Sequence, residues 1–176
     1  MKESGCEYID IAIESGSPRV LKEIIGKPVR LDQAAEMASY ARRAGIFVAA
    51  NFVIGFPTET WEEVRQTIRF AEEVNVDYVK IFVAIPLRHT RLWDLCAETG
   101  SFREGYTDGG VRWNEGQIET DEFTARDLSI LRAYEWDRIN FATPERRAAI
   151  AARMRIDESQ LADIRRRTRF AAGRGQ

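Results

Sequence analysis

The chain has 176 residues, a formal charge of −2, two cysteines and one histidine. That length suits one domain, and 44% hydrophobic with 31% charged residues describes a globular chain rather than a disordered one. Cys6 and Cys96 are too few for a disulfide scaffold, a zinc knuckle or an iron–sulfur site of the chain's own, and no apolar run approaches the roughly 20 residues that span a bilayer. The opening residues have no apolar signal core, so the cytoplasm is the expected location.

The small net charge hides an asymmetry. Residues 145–176 hold nine Lys/Arg against four Asp/Glu, which leaves −7 on residues 1–144. A basic tail can contact nucleic acid. Phe170 is its only aromatic, and single-strand binders stack bases on aromatics, so a solvated helix face is the favoured reading.

Three segments read as strands: Tyr8–Ile13, Ile46–Ile54 and Tyr78–Ile85. They are rich in β-branched and aromatic residues, and the last two are nearly continuous apolar runs, as in parallel sheets covered on both faces. Between them lie helical patterns. Val20–Ile25 is a short helix ending near Gly26 and Lys27-Pro28, and Asp32–Ala44 stops at Gly45. Thr60 and Glu63 have capping-box spacing, and Trp61, Val64, Ile68, Ala71 and Val74 then make one apolar stripe. Beyond Pro86, Arg91–Thr99 reads as a helix, and residues 100–120 are irregular with Trp113 and Ile118 as anchors. Helices follow over Thr124–Asn140, from Pro144, and over Asp157–Arg169; the Gly173–Gln176 tail is of low complexity. Trp113, Tyr134, Trp136 and Phe141 are expected to pack a helical cap onto the sheet. Cys6 and Cys96 read as buried small hydrophobes.

The expected fold is therefore α/β: a parallel sheet of about three βα units over residues 1–99, then an irregular linker and helical extension over 100–176. Each strand runs into a turn suited to chemistry. The first gives Glu14-Ser15-Gly16-Ser17, the second Gly55-Phe56-Pro57-Thr58-Glu59-Thr60, the third Pro86-Leu87-Arg88-His89-Thr90. Ligands of α/β proteins bind at such strand ends, where glycine allows close approach and helix N-termini present N–H groups.

Those strings carry a resemblance. Ile13-Glu14-Ser15-Gly16-Ser17 with Val20-Leu21-Lys22 and Ile25-Gly26-Lys27 resembles the fourth-strand region of radical S-adenosylmethionine (SAM) enzymes. Phe52-Val53-Ile54-Gly55-Phe56-Pro57-Thr58-Glu59-Thr60 resembles their fifth-strand motif, with Thr58 where glycine is usual. Ile85-Pro86-Leu87 with Thr90 resembles their sixth-strand Pro-x-Pro-Gly-Thr turn, with Arg88-His89 replacing Pro-Gly. The pattern spans about residues 4–95 and is most similar to the branch that includes cobalamin-dependent enzymes and methylthiotransferases.

The resemblance implies a partial TIM barrel whose 4Fe-4S cluster, held on a Cys-x-x-x-Cys-x-x-Cys loop, reduces SAM to a 5′-deoxyadenosyl radical. No such triad is present in this sequence. The chain thus looks like the C-terminal half of a radical SAM protein, from a truncated frame or a split enzyme, needing an N-terminal barrel half or a partner chain. It implies SAM as ligand, the cluster only in the intact parent, and leaves cobalamin use, substrate and reaction type open. On matching positions, Glu14 would meet the ribose or methionine moiety, Ser15 and Ser17 the SAM carboxylate, Gly55 the adenosyl group, and the Pro86–Leu87 backbone the adenine.

Plainer readings stand beside these. Ser17 could cap the next helix, Gly55 and Pro57 could punctuate a turn, and Glu59 fits a first-turn carboxylate favoured by the helix dipole. Asn51 and Lys80 interrupt apolar strands and could face substrate, or be a satisfied amide and a snorkelling amine. His89 could be an acid or base, or merely exposed. The rival function is a non-catalytic α/β module binding a nucleotide or protein at the same rim. Three strands without neighbours would also leave an exposed edge, an aggregation hazard.

Overall fold

The computed structural model describes residues 1–27, 29–110 and 112–173; Pro28, Val111 and residues 174–176 lie outside them. Three strands, β1 (Tyr8–Glu14), β2 (Phe47–Ile54) and β3 (Tyr78–Val83), form a parallel sheet in the order β1-β2-β3. Helices α1 (Leu31–Arg43) and α2 (Trp61–Glu73) connect them, and α3 (Arg91–Thr99) follows β3. Helices α4 (Ala125–Asn140), α5 (Pro144–Met154) and α6 (Glu158–Gly173) complete the α/β fold, with the C-terminal helices expected from sequence.

Local chemistry explains the element ends. After α1, Gly45 adopts φ 75°, its N–H bonds the Arg42 carbonyl and that of Ile46 bonds the Ala41 carbonyl, a Schellman closure. Thr60 and Glu63 cap α2 reciprocally, as Thr60-x-x-Glu63 predicts. The short helix over Val20–Ile25 is a π-helical turn, because the Gly26 N–H reaches back five residues to the Leu21 carbonyl. Pro144 sits in the first turn of α5 behind its N-cap Thr143.

Alternation divides the strands into two faces. Ile13, Val48, Ala50, Phe52, Ile54, Val79, Ile81 and Val83 are buried in one cluster with Val64, Ile68 and Ala71 of α2. The same cluster takes in Leu128, Trp136, Ile139, Ile150 and Leu161, so the C-terminal helices share the sheet's core. Tyr8, Asp10, Asn51, Lys80 and Phe82 belong to the opposite face.

The β3 edge is not left bare. The Asn140 amide accepts from the Val79 N–H (2.7 Å) and donates to the Val79 carbonyl (2.8 Å), imitating a neighbouring strand. Arg132 Nε donates to the Ile81 carbonyl (2.8 Å). Side chains of α4 thus do the work that a fourth strand would do, which removes the expected hazard on that side.

Three expectations need correction. Trp113 is 63% exposed and Tyr134 also faces solvent, so only Trp136 and Phe141 of the four aromatics pack inward. Cys6 is half-exposed, whereas Cys96 is buried and its thiol is pushed up to about 11 by burial. β3 stops at Val83, because Ala84 and Ile85 already belong to the turn. Within 145–173 many arginines are engaged internally: Arg165 and Arg169 clasp Asp137, Arg166 and Arg167 pair with Asp163, and Arg146 donates to the Val76 carbonyl.

Candidate functional site at the strand ends

Because the sheet is parallel, the three strand-end turns meet on one rim. At the end of β1 the pairing register slips between Ala12 and Glu14, and Glu14 takes φ 75°. Its carboxylate faces Lys27 Nζ at 3.4 Å, and the same ammonium donates to the Ala12 carbonyl (2.5 Å). Ser15 and Ser17 are buried. Ser15 Oγ meets Thr67 Oγ1 at 3.0 Å and accepts from the Ser17 N–H, and Ser17 Oγ donates to Glu63 Oε1 (3.0 Å). Ser17 Oγ also accepts from the Val20 N–H at 3.3 Å, the capping contact foreseen as the plainer reading. Gly16 is required between them: a Cβ there would stand 2.6 Å from the Gln66 carbonyl oxygen and 2.8 Å from Thr67 Cα.

The turn after β2 is held by two carboxylates with opposite electrostatics. Glu59 is 1% exposed, and its Oε2 accepts from the Gly55 (2.6 Å) and Phe56 (3.0 Å) N–H groups, while Oε1 has no partner. Burial pushes its carboxyl up to about 7. The dipole reading of Glu59 is therefore replaced: the side chain turns back onto its own turn instead of the α2 amides. Glu63, read from sequence only as a capping residue, is the hub of this turn. It accepts from Arg19 Nε (2.7 Å) and Nη2 (2.6 Å), from Ser17 Oγ, and from the Thr60 N–H (3.0 Å). The Arg19 guanidinium holds its carboxyl down at about 2. Capping-box spacing found Glu63, but only tertiary contact brings Arg19 to it. Gly55 takes φ 88°, and a Cβ there would meet Leu128 Cδ1 of α4 at 2.4 Å, so its glycine serves both turn and packing.

After β3 the Ala84 N–H bonds the Ile54 carbonyl (2.8 Å), tying the turn to β2. Pro86 is buried and its carbonyl accepts from Tyr106 Oη (2.5 Å). Leu87 is exposed, and its carbonyl accepts from Thr90 Oγ1 (2.6 Å), which also caps α3. His89 is exposed with φ 65°, so it fills a left-handed position where the family string carries glycine. Arg88 pairs with Asp108 and covers the Trp93 ring.

Beside this turn lies an open apolar hollow of about 520 Å³, lined by Val53, Phe56, Phe82, Val83, Ala84, Ile85, Leu92 and Trp113. Asn51 and Lys80 are register partners on the same face, one layer below Val53 and Phe82. Asn51 Oδ1 is buried without a partner, and Lys80 pairs with Asp10, which also accepts from Tyr8 Oη. The helix N-termini of the rim are already occupied: the Trp61 N–H donates to Glu122 Oε2 (2.9 Å) and the Trp93 N–H to Thr90 Oγ1 (3.2 Å). Among the described residues no group of three His, Cys, Asp or Glu could hold a metal ion, and Cys6 and Cys96 are free thiols. These residues do not fit an iron–sulfur cluster. No helix among them is long and apolar enough to cross a membrane.

Comparison with known proteins places these motifs. Residues 1–71 match the Radical SAM superfamily. An uncharacterized methyltransferase of Pyrococcus horikoshii is 44% identical over 94 residues, covering 53% of this chain and 20% of that protein. The cytidylyl-2-hydroxyethylphosphonate methyltransferase of Streptomyces wedmorensis is 36% identical over 114 residues, 61% of this chain and 20% of the relative. The tRNA-2-methylthio-N(6)-dimethylallyladenosine synthase of Baumannia cicadellinicola is 34% identical over 80 residues, 45% of this chain and 18% of the relative. The chain thus spans about a fifth of the length of these relatives. The strand-end strings, their order along a parallel sheet and these matches agree in one likeness: the first 71 residues match the radical SAM superfamily, and the similar relatives are methyl- and methylthio-transferring proteins.

Proposed function

We propose that this chain forms one wall of the SAM site of a radical SAM enzyme of the methyl- or methylthio-transferring kind. The observation that carries the reading is the meeting of all three motif turns at one end of the parallel sheet, with an apolar hollow beside the second and third. Glu14 would accept hydrogen bonds from the ribose hydroxyls of SAM, since a carboxylate offers only acceptors. Ser15 and Ser17 would act mainly through the loop they brace, because their hydroxyls are engaged by Thr67 and Glu63. Gly55, Pro86 and Leu87 would border the adenosyl group. Asn51, Lys80 and His89 are proposed to face substrate, the first two from the open sheet face and the third from the rim.

The described residues offer no ligands for a 4Fe-4S cluster, the group that would supply the electron for SAM cleavage. Its ligands would come from an N-terminal barrel half or a partner chain, which would pair with the β1 edge. SAM binding to the chain tests the reading directly. A ligand at 100 times its dissociation constant adds about 2.7 kcal/mol to stability. Denaturation with and without SAM should show a shift of that order at saturation. No shift at millimolar SAM would sink the proposal for this chain.

A further inference from the structure

Away from the strand-end turns, the segment after α3 and the first turns of α4 enclose a cavity of about 680 Å³ whose lining includes Arg103, Arg112 and Arg126. A short antiparallel ribbon sets Arg103 there. Phe102 bridges Ile118, the Arg103 N–H bonds the Gln117 carbonyl (3.1 Å), and the Glu119 N–H bonds the Ser101 carbonyl (2.9 Å). Phe102 turns to one side, against Trp93 and Tyr106, so Arg103 leaves the ribbon on the other. Another wall is α4. The Gly116 N–H bonds Ser129 Oγ (2.8 Å), and a Cβ on Gly116 would stand 2.2 Å from the Ala125 carbonyl oxygen, so ribbon and helix are pressed together beside the cavity.

The polar groups of this lining are unevenly satisfied. Glu115 takes Arg112 (3.1 Å), Glu119 takes the Ala125 N–H (3.2 Å), and Ser129 Oγ donates to the Ala125 carbonyl (2.7 Å). Glu104 also lines the cavity but is exposed to water. Two cations are left over among the described residues. Arg103 Nε is buried with no hydrogen-bond partner, and Arg126 has neither an ion pair nor a hydrogen bond. A buried donor without an acceptor is destabilising, and in a folded chain it calls for an acceptor from outside. We infer that this cavity binds the phosphate group of a small organic phosphate, held by the Arg103 and Arg126 guanidiniums. Two planar forks, each with one positive charge, match a phosphate monoester of about −1.5 to −2 charge and three acceptor oxygens better than a carboxylate of one charge and two oxygens. The cavity is larger than the bare ion and falls within the roughly 300–1,000 Å³ of small-molecule sites, so the phosphate is the handle of a larger ligand. The inference does not rest on the SAM reading, because among the described residues none of the strand-end turns lines this cavity.

The test titrates phenyl phosphate into the chain by calorimetry at fixed ionic strength, with benzoate as a carboxylate carrying the same ring. Phenyl phosphate should bind, and benzoate should bind about tenfold more weakly or worse. Arg103→Gln and Arg126→Gln should each weaken phenyl phosphate by about tenfold, since each removes a charge-assisted contact. Arg103→Lys keeps the charge without the fork and should recover only part of that loss. A second readout needs no ligand. Arg103→Met keeps the length of the stem and removes the donor that has no partner, so its urea midpoint in chloride buffer should equal or exceed that of wild type. The rise in midpoint that phenyl phosphate gives wild type should be absent from it. No binding of phenyl phosphate at millimolar concentration, or wild-type affinity in R103Q and R126Q, would overturn the site. Equal affinity for benzoate would overturn the choice of phosphate. A lower midpoint for R103M without ligand would show that the guanidinium braces the fold, and would overturn its reading as a free donor. SAM binding is measured separately, and its failure would leave this site standing.

Discussion

Glu59 gives the sharpest physical prediction. Its carboxyl lies under the β2 turn at 1% exposure, with two backbone N–H groups on one oxygen and nothing on the other. Burial raises its pKa from an ordinary 4.5 to about 7, while the Gly55 and Phe56 amides and distant Arg19 pull the other way and Glu63 adds repulsion. The sign follows from linkage. A raised folded pKa means that the folded state holds the proton more tightly than the unfolded chain, so the associated stability is complete below pH 4.5 and is lost as pH rises through about 7. Each unit is worth about 1.4 kcal/mol, so the full amplitude is about 3 kcal/mol. Glu59→Gln removes the titration and keeps the shape. One amide oxygen can accept from Gly55 and Phe56, and the amide nitrogen replaces the oxygen that has no partner. Urea denaturation followed by circular dichroism at pH 5, 6, 7 and 8 reads the outcome. Wild type should lose stability across that range through this group. E59Q should be close to wild type at pH 5, lack this fall, and overtake wild type by about 2 kcal/mol at pH 8. An E59Q profile that parallels wild type from pH 5 to 8 would refute the argument, because the ionisation would then not reside at Glu59.

Other perturbations separate the remaining contacts. Asn140→Ala deprives Val79 of both edge partners and should cost about 3 kcal/mol or more; a loss below about 1 kcal/mol in denaturant melts would mean water replaces the amide. Gly16→Ala forces a methyl against the α2 backbone and should cost about 1–3 kcal/mol, whereas Gly109→Ala, which meets nothing within 4 Å, should be near neutral. Equal thermal shifts for the two would contradict the close approach. His89→Gly relieves a left-handed backbone at φ 65° and should raise stability by about 1 kcal/mol, read as a higher midpoint in urea.

Much of this was legible before any coordinates. Period-two and period-three-to-four patterns placed the strands and helices within a residue or two, apart from α6, which runs four residues past its expected end at Arg169, because β-branched runs and capping residues act locally. Thr60-Glu63, Gly45 and Pro144 needed no tertiary information. What stayed hidden depends on distant residues meeting. Nothing in the spacing joins Arg19 to Glu63, Asn140 to Val79, or Leu128 to Gly55. Aromatic content alone could not tell Trp136, which donates to Tyr78 Oη at 3.0 Å, from exposed Trp113. For Glu59 the sequence position next to a helix start suggested a charge in the helix field, and only its burial reverses that.

The same contacts constrain how this rim can recognise anything. Ser15, Ser17, Thr67 and Glu63 spend their polar groups on one another and on Arg19, Glu59 spends one oxygen on the turn amides, and the first amide of α2 is taken by Glu122. Such a rim is preorganised: its turns are fixed by buried hydrogen bonds before a ligand arrives, so little ordering cost falls on binding. It also leaves few of its own side-chain polar groups to offer. Glu14 is half-buried beside Lys27, and a shared ammonium is the contact most easily exchanged for a ligand hydroxyl. Beside it lie the apolar hollow and the exposed Leu87, Arg88 and His89 of the β3 turn. Discrimination among ligands then falls to ring shape and to the backbone of the β3 turn, not to a charged clamp. Binding at this rim should accordingly depend weakly on salt, because a contact without ion pairs releases few counterions and is little screened. A steep loss of SAM affinity between 50 mM and 500 mM NaCl would show instead that a charged group outside these turns dominates recognition.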